Sequence, residues 1–97
     1  MLHIINTFPI SQTFFETTRS GDTVIFTDNA VLAVKQENID IETLTKKAFN
    51  HINLYVRKAD LLIRNIPNHE LLRGVTVIDE WQFSDAIDQD FAIKSYN

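Results

Sequence analysis

The chain has 97 residues, 44% of them apolar, and a formal net charge of −4 at neutral pH. That length makes one small domain, 1–97, with a modest core, and the apolar share excludes a chain disordered by composition. There is no cysteine and there are two glycines, Gly21 and Gly74, far apart. Disulfides, thiolate metal sites, a redox pair, a cysteine nucleophile and a glycine-rich phosphate loop are thereby excluded.

Leu2 to Asn6 reads as a short buried strand, broken by Thr7-Phe8-Pro9 because proline restricts itself and its predecessor. Ser11 then caps a helix in which Phe14, Phe15 and Thr18 share a face. Gly21 sits where the end of that helix needs a left-handed residue. Thr23 to Thr27 is a second strand, apolar in its middle as doubly covered strands are. Asp28-Asn29 ends it, and Ala30 to Lys35 fits a helical turn or a strand equally well. A helix from about Asp40 presents Ile41, Leu44 and Ala48 on one face. Ile52 to Val56 is a third strand, and Asp60 to Ile66 a short helix stopped by Pro67. Asn68 to Gly74 is loop, and Val75 to Ile78 the fourth strand. Asp79 caps the next helix and Gln82 reaches back to it, with Phe83, Ala86 and Ile87 facing inward. Alternation in Phe91 to Tyr96 predicts a last edge strand.

Strands alternating with helices predict an α/β fold: a three-layer α/β/α sandwich around a largely parallel sheet of four to five strands. The longest apolar run, Ala30 to Val34, is far short of the ~20 residues needed to cross a bilayer. The first residues lack the basic flank and apolar centre of a secretory signal, so a cytoplasmic protein is expected.

Charge is unevenly spread. In residues 46–73, Lys46, Lys47, Arg57, Lys58, Arg64 and Arg73 outnumber Asp60 and Glu70, while acids dominate on either side. The overall acidity argues against a general nucleic-acid coat. The basic middle leaves a local anionic contact open, in which Arg57, Lys58, Arg64 and Arg73 would steer an acidic partner.

Ligands of open α/β sheets bind beyond the carboxyl ends of the strands. The residues expected there are Asn6, Asp28, Asn29, Arg57, Lys58, Asp79 and Glu80. A small enzyme would use Asp28 and Asp79 as general acids or bases, or to hold Mg²⁺ together. The same residues also suit helix starts, and that use needs no chemistry. His3, His51 and His69 have no metal-ligand spacing; His3, inside a strand, is expected to be a hydrogen-bonded core residue. No serine stands in a nucleophile elbow. The sequence thus implies no cofactor and no metal. Phe15, Trp81, Phe91 and Tyr96 are the aromatics hardest to bury in so small a domain, and a subunit interface spanning Trp81 to Tyr96 accounts for three of them.

Several stretches together resemble the TusB/DsrH family of sulfur-relay subunits. They are Met1-Leu2-His3, Gly21-Asp22 before Thr23–Thr27, Asp28-Asn29-Ala30-Val31, Leu54-Tyr55-Val56, Asp60 to Asn65, Val77-Ile78-Asp79 with Phe83, and Lys94-Ser95-Tyr96. The resemblance implies a DsrE-type fold and assembly with TusC-like and TusD-like subunits as a dimer of heterotrimers. It implies service in passing persulfide sulfur toward 2-thiouridine at the tRNA wobble position, or, in the DsrH branch, in dissimilatory sulfur oxidation. Contact with the tRNA pathway would be indirect or transient, with Arg57, Lys58, Arg64 and Arg73 as the residues to steer a tRNA backbone. The transferring cysteine in such complexes usually belongs to the TusD/DsrE partner. This chain, having none, is expected to be a noncatalytic subunit rather than an enzyme. It departs from the family pattern at Asn29, where glycine is common, and at Tyr96, where tryptophan is frequent.

Overall fold

The computed structural model describes residues 2–8, 16, 18–35, 46, 51–72, 74–89 and 93–96. The expected helices between Ser11 and Gly21 and from Asp40 lie outside the described residues, as do Phe15, Arg73 and Phe91. Among the described residues, five strands form one sheet: β1 (Leu2–Ile5), β2 (Thr23–Phe26), β3 (Asn53–Arg57), β4 (Val75–Ile78) and β5 (Ile93–Tyr96). Their order is β4-β3-β2-β1-β5, and every pairing is parallel. The tail strand is therefore the edge beside β1, as its alternation predicts.

Strand alternation sends Ile5, Val24, Phe26, Leu54 and Val56 to one face, where they pack with Ala30, Val31, Val34 and Leu61 into the main core. On the other face Leu2, Ile25 and Ile78 pack with Phe83, Ala86 and Ile87. The covering elements are helix α1 (Lys58–Ile63) with the 3₁₀ segment Asp28–Val34 on the first face, and helix α2 (Glu80–Gln89) on the second. Three layers result. The stretch 30–35 is thus helical in its tight form, with Ala30, Val31, Ala33 and Val34 fully buried.

Two ends differ from the sequence reading. Helix α1 stops at Ile63 rather than Ile66, and Pro67 is not what stops it. Asn65 takes a left-handed φ of 53°. The N–H of Ile66 reaches the Leu61 carbonyl at 3.0 Å and that of Asn65 the Leu62 carbonyl at 3.2 Å. This is a Schellman closure with asparagine in the place glycine usually fills, sealed by apolar contact between Ile66 and Leu61. Strand β3 begins and ends one residue later than its apolar run, which brings Arg57 into the strand. The stretch 68–74 holds a 3₁₀ turn, Asn68–Glu70, and Leu71 bridges antiparallel to Lys35.

His3 is fully buried in β1, and its Nε2 lies 2.8 Å from Asp22 Oδ2. The same carboxylate oxygen accepts the Arg19 N–H at 3.0 Å. Burial opposes ionisation of Asp22, but the hydrogen bonds from Arg19 and His3, together with the positive charge of the amino terminus, outweigh it and hold its carboxyl at about 2. Gly21, just before it, adopts φ 91°, the left-handed geometry expected there.

Candidate functional site

Chain direction decides where the sheet can offer a site. After β3 the chain turns onto the main-core face as α1; after β4, its neighbour, it turns onto the opposite face as α2. Adjacent strands whose exits diverge define a switch point, and the crevice outside their carboxyl ends is the usual ligand position in such sheets. The residues there are Arg57, Lys58 and Asp60 from the β3 exit, and Asp79, Glu80 and Phe83 from the β4 exit.

Arg57 spans the crevice. Its Nε donates to Glu80 Oε1 and its Nη1 lies 3.4 Å from Asp60 Oδ2. The guanidinium carbon sits 5.3 Å from the centroid of the Phe83 ring, within cation–π range. The hydrogen bond that Arg57 donates to Glu80 raises the already basic Arg57 further, and Arg57 in return holds the Glu80 carboxyl below its usual range. Asp60 is buried, at 3% exposure, and serves a second arginine. Arg64 Nη1 lies 3.6 Å from Asp60 Oδ1 and 3.2 Å from the Asp60 carbonyl. Arg64 Nη2 donates to Asn29 Oδ1 at 3.0 Å, tying the β2 exit to α1. A continuous polar chain, Asn29–Arg64–Asp60–Arg57–Glu80, therefore runs across the carboxyl ends of β2, β3 and β4.

The four basic residues expected to meet a partner thus separate. Arg57 and Arg64 are half-buried and engaged within the molecule. Lys58 is exposed, and Arg73 lies outside the described residues. Asp28 and Asp79 follow β2 and β4, which are separated by β3 and hence by two strand spacings, about 10 Å. The structure does not bring them together as neighbours. Asp79 is a helix cap: its Oδ1 accepts the Gln82 N–H at 2.8 Å, and Gln82 Oε1 accepts the Asp79 N–H at 3.0 Å. That is the reciprocal capping box expected from the spacing. Asp28 is exposed and takes φ 49°, starting the 3₁₀ segment. At the β1 exit, Asn6 Oδ1 is buried without a hydrogen-bond partner.

Of the expected interface aromatics, Trp81 is 77% exposed on α2, beside Ser84, Asp85 and Asp88. Tyr96 closes β5. The sequence reading missed Asp60 as the hub, Glu80 as its counterpart across the crevice and Phe83 as the platform under Arg57. A signal for Asp60 was present, since Arg57 and Arg64 stand three residues before it and four after it, at the two ends of the short helix that holds it. No sequence signal joins Arg57 to Glu80, whose proximity comes from the pairing of β3 with β4.

Residues 9–90 match the family described as "DsrH like protein". No curated protein sequence matches the chain. Among solved structures, it is similar to MTH1491, a protein of unknown function from Methanobacterium thermoautotrophicum, with a TM-score of 0.81 at 12% identity over 98% of this chain and 96% of that one. It is also similar to the ychN protein of E. coli, with a TM-score of 0.77 at 10% identity over 98% and 97% of the two chains. At these identities the likeness is one of fold. The match over residues 9–90 goes further: the chain belongs to the DsrH-like family and is a subunit of the sulfur-relay type.

Proposed function

We propose that the chain is the noncatalytic subunit of a complex that passes persulfide sulfur toward 2-thiouridine at the tRNA wobble position, partnered by TusC-like and TusD-like chains. The observation that carries this reading is the DsrH-like match over residues 9–90 in a chain with no cysteine. A persulfide needs a thiolate, so the sulfur must travel on a partner's cysteine. The crevice at β3 and β4 supports the same division of labour, because its charged groups are spent on one another. Arg57 and Arg64 brace the exits of three strands through Asp60, which suits a scaffold. Trp81 on α2 and the strand edge at β5 serve as the contact with partners, and Lys58, exposed at the β3 exit, steers an acidic one.

The test is the thiolation state of tRNA. Deleting this chain in its own cell lowers 2-thiouridine at the wobble position, and restoring it with Trp81→Ala recovers the modification only partly. Unchanged 2-thiouridine in the deletion, with loss of growth on reduced sulfur compounds, assigns the chain instead to the sulfur-oxidation branch.

A further inference from the structure

Helix α2 turns Phe83, Ala86 and Ile87 toward the sheet and leaves Trp81, Ser84, Asp85 and Asp88 exposed. The spacing of those four makes one stripe along the helix, and with Glu80 they line an open depression. Two features of the stripe work against the chain on its own. Trp81 holds an indole 77% exposed to water. Asp88 puts a carboxylate in the last turn, at the negative end of the helix dipole, three residues after the like charge of Asp85 and with no basic residue in that turn. Local rules broken with no gain inside the molecule are commonest at functional positions.

One partner chemistry relieves both. A cation over the indole is attracted by the ring quadrupole, and the same positive charge offsets carboxylates toward the helix end. Of the two basic side chains arginine fits better, because a guanidinium stacked on a ring keeps its in-plane N–H donors free for a carboxylate. The molecule already contains that arrangement. Arg57 lies 5.3 Å from the Phe83 centroid while its Nε donates to Glu80, three residues earlier on the same helix. The outer stripe repeats the pairing of ring and acid, with Asp85 one turn beyond Trp81, about 6 Å along the axis.

We propose that the outer stripe of α2 docks an arginine-bearing surface of a partner protein, the guanidinium stacking on Trp81 and pairing with Asp85 while Asp88 adds attraction from the helix end. The inference rests on the reading of Trp81 as a partner contact and adds the chemistry of what meets it.

Trp81 is the chain's one tryptophan, so its fluorescence reports on the stripe directly. A peptide alternating arginine and leucine, titrated into the unmodified chain, changes Trp81 emission and binds roughly tenfold more tightly than a glutamate–leucine peptide of the same length. The double variant Asp85→Asn/Asp88→Asn loses that preference. Glu16→Gln/Asp28→Asn, which removes equal charge at exposed positions elsewhere, keeps it. Asp88→Asn alone raises the urea midpoint of the chain, because it removes the misplaced charge, yet it weakens peptide binding. Equal binding of the arginine and glutamate peptides, equal binding of a lysine–leucine peptide, a preference that survives Asp85→Asn/Asp88→Asn, or a midpoint lowered by Asp88→Asn overturns the proposal. So does assembly with TusC-like and TusD-like subunits that the double variant leaves unchanged, an outcome under which the sulfur-relay reading stands. Failure of the unmodified chain to join those subunits counts against that reading instead, since the peptide titration needs neither of them.

Discussion

Asp60 shows how one carboxylate organises three loops. It is buried, yet both of its arginines keep a quarter or so of their side chains in solvent, at 28% for Arg57 and 24% for Arg64. Removing a buried partner usually costs more than the pair contributes, because the remaining charge is left uncompensated. Here the arginines reach water, which tempers the penalty. Asp60→Ala is expected to lower stability by about 2 kcal/mol, read as an earlier urea midpoint at an unchanged m-value. Asp22 adds a pH dependence of known sign. Its carboxyl titrates at about 2 in the fold against an ordinary 3.8. The ionised form is therefore favoured by folding, and its contribution is complete above pH ~4 and lost as pH falls toward ~2. The stability gap between the unmodified chain and Asp22→Asn should shrink over that window. A gap that holds constant down to pH ~2 would show that Asp22 acts through shape and not through charge.

At the scale of elements, α2 divides its labour between two faces. Phe83, Ala86 and Ile87 pack inward on Leu2, Ile25 and Ile78, while Trp81 stands outside at the first turn. An indole left in water contributes little to the monomer, whereas a central aromatic anchor in an interface is often worth ~2 kcal/mol or more. Trp81→Ala is accordingly expected to change monomer stability by no more than about 0.5 kcal/mol while weakening assembly with partner subunits at least tenfold. A monomer destabilised as much as the assembly would place Trp81 in the chain's own packing. The contrast between α1 and α2 also shows what can be read from sequence. Asp79 and Gln82 declare the start of α2 through a local hydrogen-bond exchange three residues apart, and that spacing survives in the fold. The end of α1 depends on Asn65 adopting a left-handed backbone, which asparagine tolerates but does not announce, and the nearby proline is the more conspicuous signal.

For the whole molecule, the parallel sheet was legible because its strands are short apolar runs separated by helix starts. The order β4-β3-β2-β1-β5 was not, and with it went the crevice: only when β4 lies beside β3 do Glu80 and Phe83 reach Arg57. The same order explains why Asp28 and Asp79, both at strand exits, do not meet. Long-range pairing assembled the polar chain, and local patterns showed only its helical half around Asp60. The β5 edge, with Trp81 on α2, carries the expectation of unlike partners.

The central claim is that this chain works as a cysteine-free member of a sulfur-relay assembly. It is tested most directly by co-expressing the chain with TusC-like and TusD-like proteins, supplying labelled cysteine and a cysteine desulfurase, and weighing the purified assembly by native mass spectrometry. The account predicts one complex containing all three chains, with the sulfur label on the TusD-like chain and none on this one. A chain that purifies alone while its intended partners assemble without it, or one that itself carries a stable sulfane adduct, would contradict it.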